Sequence, residues 1–179
     1  DCGISKATAK GWLGILEMSY IIFLLQPHHR NFNKRLIKSP KLYFYDTGLL
    51  CALLNIKSPQ ELSMHHQLGS IFESFVTSEL YKIYYNQAQR PSLYFWRDSH
   101  GHEIDTVIDT GLQLIPLEIK AGQTITNDYF KGLAWWQELT GTSPENSYVI
   151  YGGEKNWHRA KAKVVSWSNI DAVFKKVIR

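Results

Sequence analysis

With 44% hydrophobic and 13% aromatic residues among 179, the chain has enough apolar material for a packed core, which excludes an intrinsically disordered protein. Its longest apolar stretches fall far short of the roughly 20 residues that a membrane span needs, so no membrane partner is expected. Two cysteines exclude a disulfide framework and a cysteine-based zinc site, and they favour a reducing, cytoplasmic setting.

The net charge of +4 is concentrated in the first third of the chain. Residues 1–62 carry eight of the 20 Lys and Arg but only four of the 16 Asp and Glu, whereas the remainder carries twelve of each. Much of the excess lies in residues 28–41, where basic residues with an interleaved aromatic can follow a phosphate backbone. The predicted nucleic-acid-binding residues of this loop are Arg30, Lys34, Arg35, Lys38 and Lys41. The alternatives are a solvated surface loop and a loop that docks on an acidic partner domain.

The first elements in chain order predict a partial winged-helix module. Ser5 can cap a helix that extends to Met18, and two strands follow at residues 20–25 and 41–45. A helix, a strand, a basic loop and a second strand form the order of a winged helix, with the basic loop as its wing. The module is predicted to span residues 1–62.

A second domain is predicted at residues 63–179, and the segment from Ser58 to Leu68, which spans the boundary, is the predicted inter-domain linker. Its elements follow the order αβββαβ, with a further strand and helix, which predicts an α/β sandwich with a mixed sheet. They are a helix at 70–85, strands at 93–97, 103–109 and 112–120, a helix at 127–139, strands at 148–151 and 163–167, and a helix at 170–178.

The hairpin of the second and third strands gathers charged residues on one face. If Thr110-Gly111 is a two-residue turn, Asp105 lies opposite Pro116. Glu118 and Lys120 then share the face of Asp105. The other, nearly all apolar face carries Ile104, Thr106 and Ile108 against Gln113, Ile115, Leu117 and Ile119.

Two carboxylates and an ammonium on one face suit metal-dependent hydrolysis of a phosphodiester. A divalent cation neutralises charge on the phosphate and lowers the pKa of the attacking water, and hard cations prefer carboxylate oxygens. Asp105 and Glu118 are the predicted ligands of Mg²⁺ or Mn²⁺, with the Ile119 carbonyl as a possible third. Lys120 would orient the water or stabilise developing negative charge. An ordinary surface pair is the alternative for Glu118 and Lys120 taken alone.

The helix that opens the second domain supplies a fourth acid. Glu73 lies at the edge of its apolar arc, where it could reach the cation directly or through water. Glu79 falls inside the arc and is predicted to pair with a buried base, first of all Arg97. Arg97 is also a candidate for clamping a scissile phosphate. A structural salt bridge is the alternative for both acids.

Seven strings of the sequence carry a family resemblance. They are Asn31-Phe-Asn-Lys-Arg-Leu36, Lys38-Ser-Pro-Lys-Leu-Tyr-Phe-Tyr-Asp-Thr-Gly-Leu49, Phe72-Glu-Ser-Phe75, Tyr94-Phe-Trp-Arg97, Gly101-His-Glu-Ile-Asp105, Glu118-Ile-Lys120 and Tyr151-Gly-Gly153. They resemble the C-terminal region of prokaryotic AAA-type ATPases of unassigned function, over essentially the whole chain. In that family a P-loop ATPase domain precedes a winged helix and a domain related to PD-(D/E)xK nucleases and Holliday-junction resolvases.

The resemblance implies a PD-(D/E)xK nuclease-like αβββαβ core with Glu73, Asp105, Glu118 and Lys120 at the catalytic positions. The Pro-Asp pair that names the superfamily is Ile104-Asp105 here. The implied function is a Mg²⁺-dependent phosphodiesterase of endonuclease or resolvase type, which acts on DNA rather than RNA beside the ATPase domain of the same parent chain. The chain begins without Met and has no GxxxxGK[ST] loop, so a fragment without its own ATP site is expected.

The alternative is a module of the ATPase without catalytic activity. Such a module would bind nucleic acid, or it would serve regulation or assembly. A domain that recognises only protein, through its basic loop, is a third possibility.

Overall fold

The computed structural model describes residues 3–30 and 32–178, so Asn31 of the basic loop lies outside the described residues. The helices are α1 (Lys6–Met18), α2 (Thr47–Leu53), α3 (Pro59–Met64), α4 (Leu68–Asn86), α5 (Lys131–Thr140) and α6 (Ile170–Val177). The strands are β1 (Ile22–Leu25), β2 (Lys41–Phe44), β3 (Leu93–Arg97), β4 (Glu103–Asp109), β5 (Leu114–Lys120), β6 (Tyr148–Tyr151), β7 (Trp157–Arg159) and β8 (Ala162–Ser166). No helix of these described ranges is both long and apolar enough to cross a membrane.

Six strands form one mixed sheet in the order β3-β4-β5-β6-β8-β7. β3, β4 and β5 are antiparallel neighbours, whereas β5, β6 and β8 run parallel. The predicted α/β architecture with a mixed sheet is therefore confirmed. The parallel strands bring their carboxyl ends to one edge of the sheet, the place where α/β proteins build their sites. β7 is not predictable from the sequence, because its three residues are all exposed and show no apolar alternation.

Two apolar clusters cover opposite faces of the sheet. The first lies under α4 and α6 and contains Val76, Leu80, Ile108, Leu117, Ile150 and Phe174, among others. The second lies under α5 and contains Trp96, Ile104, Val107, Leu133, Trp136 and Val149, among others. Complete burial of side chains of this size contributes about 1.5–3 kcal/mol each, so the two clusters hold both helix layers on the sheet.

The predicted helix and two strands at the amino terminus are present. Ser5 caps α1 by accepting a hydrogen bond of 3.1 Å from the N–H of Thr8, as expected. The β1–β2 hairpin joins the first core through Phe23 and Tyr43. The predicted linker within residues 58–68 contains α3.

The predicted wing lies along the edge of β3 that has no neighbouring strand in the six-stranded sheet. The main chain of His28 donates a hydrogen bond of 2.7 Å to the carbonyl of Phe95, and Ile37 donates one of 3.0 Å to the carbonyl of Arg97. The loop thereby satisfies the free polar groups of an edge strand, which would otherwise invite pairing with another chain.

The β4–β5 turn is longer than the two residues predicted. Asp109 pairs with Leu114 and Val107 pairs with Pro116, so the connection spans residues 110–113 and the predicted register of Asp105 against Pro116 is wrong. The side chain of Asp109 accepts a hydrogen bond of 2.8 Å from the N–H of Gly111, and such local bonds extend a turn. Because the shift is two residues, Thr106 to Asp109 keep the faces predicted for them.

A β-bulge interrupts β4 beside Asp105. Tyr94 pairs with Val107 and Trp96 pairs with Ile104, so β4 holds one residue more than β3 in this interval. The extra residue turns Ile104 into the second core, which corrects the prediction that Ile104 shares the face of Ile108. Bulges often re-aim a side chain at a functional site, and this one lies at Asp105.

Two glycines make a matched stability test. Gly141 ends α5 with φ 73°, and a β-carbon there would meet no atom within 4 Å. Gly69 lies in the first turn of α4 with equally open space. We expect Gly141→Ala to lower the free energy of unfolding by about 1 kcal/mol, because a residue with a β-carbon is strained in this left-handed backbone conformation. Gly69→Ala is expected to raise it by up to about 0.5 kcal/mol, since the helix propensity of alanine counts for less in a first turn than in a helix interior. Urea denaturation measures both changes in the free energy of unfolding. Changes of the same sign in the two variants would contradict the prediction.

Candidate active site

Asp105, Glu118 and Lys120 form one connected cluster on neighbouring strands β4 and β5. Lys120 Nζ lies 3.1 Å from Asp105 Oδ2 and 2.6 Å from Glu118 Oε2. Asp105 Oδ2 also accepts a hydrogen bond of 2.7 Å from the main-chain N–H of Ile119. The three residues that the sequence groups on one face therefore meet through their charged atoms.

Burial and mutual charge shift the ionisation of this cluster. The side chain of Glu118 is only 7% exposed, and burial, followed by the negative charge of Asp105, raises its pKa to about 8. Burial lowers the pKa of Lys120, but the charges of Asp105 and Glu118 outweigh it and hold that pKa above its ordinary value. The cluster therefore keeps Lys120 charged, and Glu118 holds its proton to a higher pH than an ordinary glutamic acid does.

Helix α5 packs onto Glu118 at Gly132. A β-carbon at this position would collide with Glu118 Oε1 and would lie 3.1 Å from Glu118 Cδ. The glycine thus lets the helix backbone cover the carboxyl group, which accounts for the burial of Glu118. Gly132 is not identifiable from the sequence, because a lone glycine in a helical segment carries no sign of what it packs against.

Glu73, near the start of α4, is held by two residues of β2. Its Oε1 accepts a hydrogen bond of 2.5 Å from Tyr43 Oη and lies 2.9 Å from Lys41 Nζ. Lys41 also forms an ion pair with Glu103. Burial and then the charge of Glu73 raise the pKa of Tyr43, with smaller contributions from Asp105 and Glu103. The protonated Tyr43 hydroxyl is therefore within electrostatic range of both groups of acids.

The predicted ligands are brought together only in part. Among residues 3–30 and 32–178, no group of three or more His, Cys, Asp or Glu is arranged to hold a metal ion. Asp105 and Glu118 share Lys120, whereas Glu73 contacts Lys41 and Tyr43 in a neighbouring group. A cation on the Asp105–Glu118 pair would complete its coordination with main-chain, water or substrate oxygens.

Arg97 and Glu79 do not pair with each other. Arg97 Nε lies 3.4 Å from Glu103 Oε2, and its side chain is half exposed. Glu79 pairs with Lys82 one helical turn away, at 2.5 Å. The predicted Glu79–Arg97 pair is therefore wrong, and it fails because each charge finds a partner closer along its own surface. Arg97 keeps an exposed guanidinium beside the acids of β4.

The predicted nucleic-acid-binding residues of the loop are spread over its course along β3. Arg35 and Lys38 are exposed, Lys34 is half-buried and Arg30 lies with its guanidinium over the ring of Phe32. Lys41, at the start of β2, forms ion pairs with Glu73 and Glu103 of the candidate site. Binding of nucleic acid by these residues stays a prediction.

Two residues of the site are absent from the sequence-based prediction. Tyr43 and Glu103 meet Glu73 and Lys41 only because β2, α4 and β4 converge. No periodicity within one element signals such a convergence.

Comparison with known proteins shows relatives without an assigned function. The family model described as a domain of unknown function, DUF4143, matches residues 68–170, and a second domain of unknown function, DUF8612, matches residues 1–60. The chain is 33% identical over 121 residues to the uncharacterized protein Rv2008c of Mycobacterium tuberculosis and, equally, to the uncharacterized protein Mb2031c of Mycobacterium bovis.

These matches cover 68% of this chain but 26% of each relative, so the chain spans about a quarter of the length of the curated relatives it matches. No solved structure gives a significant match. Because the DUF4143 model covers more than half of the chain, the chain belongs to this family of domains of unknown function.

Proposed function

We propose that this chain is a metal-dependent nuclease-like module that hydrolyses phosphodiester bonds in DNA, as part of an AAA-type ATPase. The observation that carries the proposal is the connected cluster of two carboxylates and one ammonium at the ends of two central strands. The resemblance to PD-(D/E)xK nucleases supports it, because the same residues stand at that superfamily's active-site positions. The β-bulge beside Asp105 supports it as well.

The residues fit Mg²⁺ or Mn²⁺. Asp105 and Glu118 offer carboxylate oxygens, and Mg²⁺ commonly takes one or two carboxylates and completes its shell with waters and substrate phosphate. The raised pKa of Glu118 indicates that a negative charge on this side chain is unfavourable next to Asp105. A divalent cation bound between the two carboxylates would replace the proton and stabilise both charges. When bound, such a cation would neutralise charge on the phosphate and lower the pKa of a water.

The side chains around the pair have separable roles in this proposal. Lys120, whose charge is secured by both acids, donates to the phosphate oxygen on which negative charge develops. Arg97 is exposed beside Glu103 and contacts a neighbouring phosphate of the DNA backbone. Glu73 orients water next to the pair, with its own position fixed by Lys41 and Tyr43.

Calorimetric titration with Mn²⁺ and Mg²⁺ tests the proposal. We expect the wild type to bind either cation and the double variant Asp105→Asn, Glu118→Gln to lose binding, because both carboxylate ligands are gone. Glu145→Gln is a matched control, since Glu145 is an exposed acid whose ion pair with Lys163 spans 3.8 Å. Absence of cation binding by the wild type, with DNA present, would contradict a metal-dependent activity.

A module without catalytic activity is the second candidate. The observation that favours it is the engagement of Glu73 by Lys41 and Tyr43, which commits one of the acids to a structural role. For such a module we expect DNA binding through the basic loop, with no cleavage of linear or branched DNA in Mn²⁺. Cation-dependent cleavage that disappears in the double variant would exclude it.

A further inference from the structure

A cavity of about 590 Å³ opens beyond the carboxyl ends of β5, β6 and β8. Its lining includes Tyr151, Lys155, Trp157, Arg159 and Trp167. Trp157 and Trp167 are each 43% exposed, so two large aromatic side chains present part of their surface to solvent around one opening. Exposed aromatic surface in a concave site marks a place where another molecule packs.

The cavity adjoins the candidate active site through the main chain. Lys120 and Tyr151 are neighbours in register on the parallel strands β5 and β6. The N–H of Gly152 donates a hydrogen bond of 3.1 Å to the carbonyl of Lys120. A β-carbon on Gly152 would collide with the carbonyl of Ala121, so the glycine lets the two strand-end loops touch. One wall of the cavity therefore begins directly after Lys120.

Both tryptophans are held in place before any ligand arrives. Trp157 Nε1 donates a hydrogen bond of 3.2 Å to Tyr151 Oη, and the guanidinium of Arg159 lies 5.6 Å from the centre of the Trp157 ring. Trp167 packs edge-on against Phe75, with ring centres 5.9 Å apart. Rings that are already fixed lose little freedom when a planar partner stacks on them.

The charge of the cavity favours an anionic chain. Lys155 and Arg159 are exposed, and neither takes part in an ion pair among residues 3–30 and 32–178. Glu154 is the one acid among the lining residues described. Aromatic rings flanked by unpaired basic side chains are the way proteins bind single-stranded nucleic acid, because every base can stack and every linkage is charged.

We propose that this cavity binds an unpaired DNA strand, with bases stacked on Trp157 and Trp167 and phosphates on Lys155 and Arg159. The substrate of the module is then DNA with a single-stranded tail or flap next to the cleaved linkage, because bases inside a duplex are stacked on each other and cannot reach the rings. This inference rests on the proposed function, since it names the substrate class of the same site.

Fluorescence anisotropy with a labelled oligothymidylate of about 12 nucleotides, in EDTA, tests the inference on this 179-residue chain. We expect Trp157→Leu and Trp167→Leu each to weaken binding about tenfold, because leucine keeps apolar bulk but offers no ring. Trp12→Leu on α1, where the side chain is 57% exposed, serves as the control and should change binding less than about twofold. Melting curves of each variant confirm that it is folded.

Salt dependence and competition complete the test. The double variant Lys155→Met, Arg159→Met is expected to flatten the dependence of affinity on salt, because two phosphate contacts are lost. Unlabelled blunt duplex should compete at least about tenfold less well than the single strand. Wild-type affinity in both cavity tryptophan variants, or an equal loss in Trp12→Leu, would overturn the inference.

The outcome is separable from that of the proposed function. No cation is bound in EDTA, so oligonucleotide binding under these conditions reports on the cavity and not on a metal at Asp105 and Glu118. Tryptophan-dependent binding without any cation binding would support the cavity and refute the metal-dependent activity. Cation binding and cleavage with no effect of the tryptophans would refute the cavity alone.

Discussion

Replacing Glu118 by glutamine is expected to stabilise the metal-free protein at about pH 9, by an amount on the order of a few kcal/mol, and by far less at about pH 5. The side chain is 7% exposed, and burial together with the charge of Asp105 raises its pKa from 4.5 to about 8. Glutamine has nearly the same shape and no charge to bury. Its amide can still accept from Lys120 and donate to Asp105.

The direction with pH follows from proton binding. Between pH 4.5 and about 8 the folded protein keeps a proton on Glu118 that the unfolded chain releases, so the free energy of unfolding falls as pH rises through this window. Above it, the full cost of a buried charge beside Asp105 is present. The glutamine variant lacks this titration, so its advantage grows across the window and then levels off.

Urea denaturation of both proteins across this pH range, with EDTA, measures the difference. Glu73→Gln is the matched control, because it removes a carboxylate that two partners already satisfy and should not stabilise the fold at high pH. A Glu118→Gln variant that is less stable than the wild type at about pH 9 would contradict the conclusion that the buried charge of Glu118 destabilises the fold. The result would also identify an acid kept at a cost in stability, which is common at functional sites.

The strands of the site could be predicted because their residues follow local rules. β4 and β6 alternate or run apolar between turn residues, and their bounds are those expected from the sequence. The sequence-based grouping of Asp105 with Glu118 and Lys120 assumes regular alternation, and the longer turn preserves that alternation only as far as Thr106. Across the bulge, the ion pair with Lys120 is what brings Asp105 to the other two residues. A turn longer by one residue would have reversed the alternation.

The remaining features could not be predicted because they arise between elements. The bulge beside Asp105 depends on how β3 pairs with β4, and it reverses the orientation of Ile104. The contact of Glu73 with Tyr43 needs a helix and a hairpin far apart in sequence. Close packing of Gly132 on Glu118 likewise appears only when α5 is laid on the sheet. A single sequence does not show which residues of different elements come into contact.

Lys120→Met is expected to reduce cation-dependent cleavage of DNA by about 10²- to 10³-fold, because it removes a fixed positive charge from beside the phosphate. Methionine keeps much of the length of lysine and fills the same 30% exposed position. We expect cation affinity to be retained or increased, since Lys120 Nζ now occupies the space between Asp105 and Glu118 and repels an incoming cation. Single-turnover cleavage and calorimetry separate these two effects.

Lys163→Met is the matched control for this experiment. Lys163 lies in β8, its side chain is also 30% exposed and its ion pair with Glu145 spans 3.8 Å, so the same chemical change is made away from the acids of β4 and β5. Cleavage at the wild-type rate in Lys120→Met would contradict a role for this ammonium in the reaction. Loss of cation binding together with cleavage would instead mean that Lys120 only holds the two carboxylates in position, because an ammonium that acts on the phosphate is not needed to bind the cation.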